Sequence, residues 1–216
     1  MRSRKPLLVV GVALVASIAC QSNAHPAERT GDGALLHVTI LGQPSDSRVP
    51  AVREALSHWN KEFVRLGVAV RLDSGTLHAD SIPNDVLRTA SKLAPVIAWP
   101  TPSLSAALAS VPGDVVIALS SDDFISFSIP WHQGSQGVIG IRRADILPLS
   151  LPNALRNVVA HELGHVLGLS HNSDSTKLMC GRPASCRPSA FASDTSYFFP
   201  LTAPDEESLR NHWARK

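Results

Sequence analysis

The chain of 216 residues has little cysteine, no real surplus of either charge, no internal repeat and no hydrophobic run of membrane-spanning length. Each shortage excludes something. The three cysteines, Cys20, Cys180 and Cys186, have no second Cys pair or neighbouring His at zinc-ribbon spacing. The longest apolar stretch, Leu7–Ala19, falls short of the ~18–20 residues that a membrane-crossing helix needs. The 20 Lys and Arg against 18 Asp and Glu give a formal charge of +2, but Arg2, Arg4 and Lys5 precede that apolar stretch. Without them 17 cations face 18 anions, a net charge of −1 that offers nucleic acid no basic face. The whole sequence, 44% hydrophobic and 18% charged, has the composition of one globular domain with a sizeable core.

The N-terminal cations and the apolar run have the pattern of a secretory signal. Ser17-Ile18-Ala19-Cys20 resembles a bacterial lipobox, in which Cys20 would be acylated, although Leu is favoured where Ser17 stands. Ser22-Asn23-Ala24 offers an ordinary cleavage site instead. The expected organisation is therefore a signal over 1–19 (or 1–24), a polar tether over 20–33 and a folded domain over 34–216. An exported chain, either a cell-envelope lipoprotein or secreted, touches a membrane only through such an anchor. Once Cys20 is set aside, Cys180 and Cys186 form an even pair, which an oxidising compartment would let close as a small disulfide.

Along the domain, Leu35–Leu41 is a β-rich run and Pro50–Leu66 repeats apolar residues every three or four positions, ending at Gly67. Val68–Leu72 alternates as a strand, and Ser81–Ala94 reads as a short helix. Asp114–Ser120 is a continuous apolar run suited to a buried strand. Gly137–Arg142 reads as a strand placed at a sheet edge by its two glycines. Asn153–Gly168 reads as a long helix, with Ser150 a candidate cap and Gly168 at a left-handed end. This order predicts an α/β fold in three layers around a mixed sheet.

Inside the last helix lies His161-Glu162-Leu163-Gly164-His165. Residues four apart share a helix face, so the two imidazoles can meet one metal ion. A bend at Gly168 would return His171 as a third ligand. Three neutral imidazoles suit zinc and leave one position open for water, as a catalytic site requires. Glu162, beside the first ligand, is placed to take a proton from that water and return it to the products. A structural zinc site would instead want four ligands, usually with cysteine, and would have no use for Glu162.

His161–His171, HELGHVLGLSH, matches the metzincin motif HExxHxxGxxH in full. The stretch resembles the matrixin branch most, through His171-Asn172-Ser173-Asp174 and Leu178-Met179. Gly181 stands where astacins and serralysins place a tyrosine ligand. The resemblance implies a mostly parallel twisted sheet, an active-site helix, and a small C-terminal subdomain with a Met-turn and a final helix. It implies zinc on His161, His165 and His171, Glu162 as general acid/base, and Met179 as an apolar floor under the metal. It implies a polypeptide substrate laid along an edge strand, with Gly137–Arg142 the candidate. Thr202-Ala203-Pro204-Asp205 resembles a capping box opening the final helix.

The expected function is thus an exported, monomeric zinc endopeptidase. A zinc-binding surface protein with little turnover and a zinc hydrolase of non-protein amides are the alternatives. Calcium and structural-zinc loops are not recognisable: His132 is isolated and Asp122-Asp123 has no evident partners. No thiol-bearing segment of the kind that keeps animal matrixins latent lies between the signal and Ala34. The Cys180–Cys186 loop would reshape the wall of the pocket beyond the scissile bond.

Overall fold

Two β-rich runs, each interrupted at a polar residue or a short polar stretch, set the frame of the sheet. The structure is a computed structural model that describes residues 28–30, 33–181 and 196–214. The run expected over 35–41 divides into β2 (Gly33–Leu36) and β3 (Val38–Leu41) at His37. The run at 70–78 divides into β4 (Val70–Leu72) and β5 (Thr76–His78) across Asp73-Ser74-Gly75. Carboxylates supply the hydrogen bonds that the ladder loses at this jog. Asp114 accepts from the His37 N–H at 2.9 Å, and Asp73 accepts from the Val38 and Gly75 N–H groups at 3.0 and 2.9 Å. Paired backbone at such breaks is what burial demands.

The larger sheet has the order β5-β3-β6-β8-β7, with β6 Val115–Leu119, β7 Phe127–Ile129 and β8 Gly137–Ile141. All pairs are parallel except β7 with β8. The smaller sheet is β1-β2-β4, where β1 (Glu28–Thr30) pairs antiparallel with β2. Regular structure therefore reaches into the segment expected to be a tether.

Helices cover both faces, which is why β6 is apolar throughout. On one side lie α1 (Val49–Leu66) and α4 (Pro152–Val166). Their Trp59, Phe63, Val159 and Leu163 pack with Val115, Ile117, Ile139 and Ile141 in one core. On the other side α2 (Asn84–Leu93) and α3 (Pro102–Leu108) meet Val116, Ala118, Phe127, Ile129 and Val138. The three-layer α/β expectation is met, with a mostly parallel sheet. A final helix, α5 (Ala203–His212), follows. Its capping box is formed: Thr202 Oγ1 accepts from the Asp205 N–H, and Asp205 accepts from the Thr202 N–H at 2.9 Å.

Three local expectations need correction. The strand at Gly137–Ile141 is not an edge; it lies between β6 and β7, and β7 is the antiparallel edge. Its glycines answer to packing. A Cβ on Gly140 would sit 2.3 Å from the Phe127 ring, and one on Gly137 would sit 2.7 Å from the Val166 side chain. At α4 the N-cap position is Leu151, without a side-chain cap bond, and Ser150 lies one residue outside it. Asp122 and Asp123 do have partners: Arg88 pairs with the first, and Arg142 with the second at 2.9 Å. The signal, the tether as far as residue 27, Cys20 and Cys186 lie outside the described residues, and the Cys180–Cys186 pairing falls outside with Cys186.

Candidate metal centre

Helix α4 presents His161 and His165 one turn apart, and its end returns the chain towards them. Gly168 adopts φ +98°. The Gly168 N–H donates to the His165 carbonyl at 3.0 Å, and the Leu169 N–H donates to the Gly164 carbonyl at 2.9 Å. These two bonds make a Schellman turn, the left-handed stop that glycine permits without strain. The chain then carries His171 back over the helix.

The three Nε2 atoms converge. His161 and His165 lie 3.2 Å apart, His161 and His171 3.2 Å, and His165 and His171 2.9 Å. Their other nitrogens fix the tautomers. His161 Nδ1–H donates to the Leu178 carbonyl at 2.7 Å, and His165 Nδ1–H donates to the Leu169 carbonyl at 2.8 Å. A carbonyl only accepts, so each of these rings keeps its proton on Nδ1 and turns the Nε2 lone pair inward. Burial, and next the neighbouring His161, push the His165 imidazole down to about 4. A proton is therefore a poor occupant of the centre at neutral pH.

The donor set fits a zinc ion. Ligands ~2.0–2.1 Å from one tetrahedral ion stand roughly 3.3 Å from one another, close to the separations here. Among the described residues this trio is the only group of three or more His, Cys, Asp or Glu side chains near enough to share an ion. The connection from β6 to β7, residues 120–126, is short, and its two aspartates are engaged with arginines.

Glu162 follows the first histidine, is buried, and accepts from the Ser128 hydroxyl of β7 at 2.8 Å. Met179 is wholly buried, and its sulfur lies against Gly164, where a Cβ would approach it to 2.4 Å. The glycine within HELGH therefore makes room for this methionine. Gly181 is equally constrained, since a Cβ there would fall 2.1 Å from the His171 ring. The His171 loop is tied down by the Asn172 N–H to the Met179 carbonyl at 2.9 Å, and by the Asn172 side chain to Asp205 at 3.0 Å. The expected ligands and Met179 are thus brought together.

The Matrixin peptidase family model matches residues 106–194, which contain β6, β7, β8, α4 and the three histidines. The fold is similar to that of archaemetzincin from Methanopyrus kandleri, with a TM-score of 0.51 at 15% identity, over 86% of this chain and 98% of that one. The fold is metzincin-like. A local similarity to matrix metalloproteinase-A of Caenorhabditis elegans, 36% identical over 64 residues, spans 30% of this chain and a tenth of that protein.

Several residues that shape this centre carry no sequence signature. Trp59 of α1 donates to the Ala160 carbonyl at 2.9 Å and touches the Gly164 position, so it anchors α4 directly behind the motif. Asn157 donates to the Tyr197 carbonyl and accepts from the Phe199 N–H, both at 2.9 Å, fastening the C-terminal segment to the helix. Ser128 is the third. Its only signal was a small polar residue between Phe127 and Ile129 in a strand.

Proposed function

We propose that this metzincin-like chain is an exported zinc-dependent endopeptidase. One observation carries the reading: three imidazole nitrogens, two of them tautomerically fixed, converge beside a buried carboxylate at the edge of a sheet. His161, His165 and His171 would hold the zinc, whose Lewis acidity lowers the pKa of water at the site and polarises a carbonyl. Glu162 takes the proton from the attacking water and delivers it to the departing amine. Among the described residues strand β7 pairs with a strand on one side only, β8, so its outer edge can accept an extended peptide as a further strand. Met179 fills the space beneath the ligands without offering a charge.

Export rests on the cationic and apolar N-terminal pattern, and lipid attachment on Cys20. Among the described residues no helix is long and apolar enough to cross a membrane. A disulfide between Cys180 and Cys186 rests on their being the even cysteine pair of an exported chain. Intact mass of the exported protein, with and without reduction, reads both modifications.

The deciding experiment is Glu162→Ala against a peptide library. Hydrolysis should fall by about 10²–10⁴-fold while one zinc per chain is retained. Undiminished cleavage in that variant overturns the mechanism. A zinc-loaded wild type that cleaves no peptide returns the chain to a binding role, and cleavage confined to non-protein amides makes it a hydrolase of another class.

A further inference from the structure

We propose that Ser128 is a positioning residue of the reaction, orienting the Glu162 carboxylate from the edge strand; this rests on the endopeptidase reading. Alternation along β7 sends Phe127 and Ile129 into the core beneath α2 and α3. Ser128 therefore faces the opposite layer, where α4 carries the motif. Its hydroxyl is the donor in the 2.8 Å bond to Glu162 Oε2.

Helix geometry fixes where the Glu162 backbone lies but leaves three side-chain torsions open. A hydrogen bond from a different element of the fold removes that freedom at the carboxylate end. Bonds to a charged acceptor are the stronger kind, and this one is partly sheltered from water. The donor also sits in β7, the edge strand to which the proposed peptide would add. A substrate that adds to β7 steadies the strand and, through Ser128, the base. Substrate pairing and base orientation are then coupled by a single hydroxyl.

The test uses the zinc-loaded wild type, Ser128→Ala and Ser128→Thr. Ser128→Ala should lower kcat roughly ten- to a hundredfold, the scale of a misplaced catalytic group, with KM changed by less than about twofold. Zinc content and thermal midpoint should stay at wild-type values, and Ser128→Thr, which keeps the hydroxyl, should recover most of kcat. In a Glu162→Ala background Ser128→Ala should cost nothing more, since a residue that acts through Glu162 has nothing left to orient.

A Ser128→Ala kcat within about threefold of the wild type overturns the proposal. So does a loss that tracks zinc content or thermal midpoint, a loss that Ser128→Thr does not recover, or an equal loss in the Glu162→Ala background. Should Ser128→Ala fail to fold, Ser128→Cys carries the same kcat and KM comparison. A wild type that cleaves no peptide defeats the endopeptidase reading itself, which separates the two failures.

Discussion

Two polar constructions lie at opposite fates of the same fold: the knot around Arg48 and the histidine centre. Arg48 is buried, pairs with Asp46 at 2.6 Å, and donates to the carbonyls of Ser120, Ile141 and Arg142 at 2.6, 3.2 and 2.8 Å. It thereby ties the turn before α1 to the chain leaving β6 and β8. Its charge is matched, and all three of its guanidinium nitrogens donate. The histidine centre is built the other way. The outward nitrogens of His161 and His165 are satisfied by backbone carbonyls, which turns their Nε2 lone pairs inward to meet the third imidazole, His171. A closed network holds elements together; an open one waits for a cation. The difference separates what stabilises this domain from what lets it act.

The comparison breaks most visibly at Arg48. Arg48→Ala withdraws the guanidinium from Asp46 and from three carbonyls, and should cost about 3–5 kcal/mol of stability. Urea denaturation measures the loss, and the zinc content of the remaining folded protein should be unchanged. A large loss of zinc affinity without loss of stability would show that the two networks are not separate.

Acid should distinguish them next. The folded pKa of His165 is depressed to about 4 from an ordinary 6.5. The unfolded chain therefore binds the extra proton first as pH falls. This contribution is fully present above pH 6.5 and is lost between 6.5 and 4, amounting to roughly 3 kcal/mol in zinc-free protein. Around Asp46 burial works to raise the carboxyl, but the Arg48 hydrogen bonds and charge prevail and its pKa is lowered below 3.8. That contribution persists above 3.8 and disappears only in stronger acid. Denaturation midpoints from pH 7.5 to 3 should show two separate declines, and zinc should move the first to lower pH.

The smallest change tests the floor of the centre. In Gly164→Ala the new methyl meets the Met179 sulfur and, at 3.2 Å, the Trp59 ring. Overpacking of this kind costs typically ~1–3 kcal/mol. Calorimetry should find that cost, and zinc affinity should fall with it because both ligands of α4 share the displaced turn.

What could be read in advance follows the same division. The histidines, Gly168 and the Thr202 capping box were legible because each depends on residues a few positions apart, where helix geometry fixes the outcome. The apolar run of β6 announced a strand covered on both faces. Ser128, Trp59 and Asn157 were not legible, since each meets partners 34, 101 and about 40 residues away that only the folded layers bring close. The glycines of β8 were misread for a related reason. A glycine marks missing bulk, and whether the space belongs to solvent or to the Phe127 ring is decided by a neighbouring strand.

The bonds that settle the imidazole tautomers come from the main chain at Leu169 and Leu178, not from any side chain. The proton address of the two helical ligands is therefore written in the path of the loop. Side chains at 169 and 178 can drift among core-filling residues without altering it, whereas an insertion or deletion between them strikes it at once. The centre is tolerant of spelling and intolerant of length.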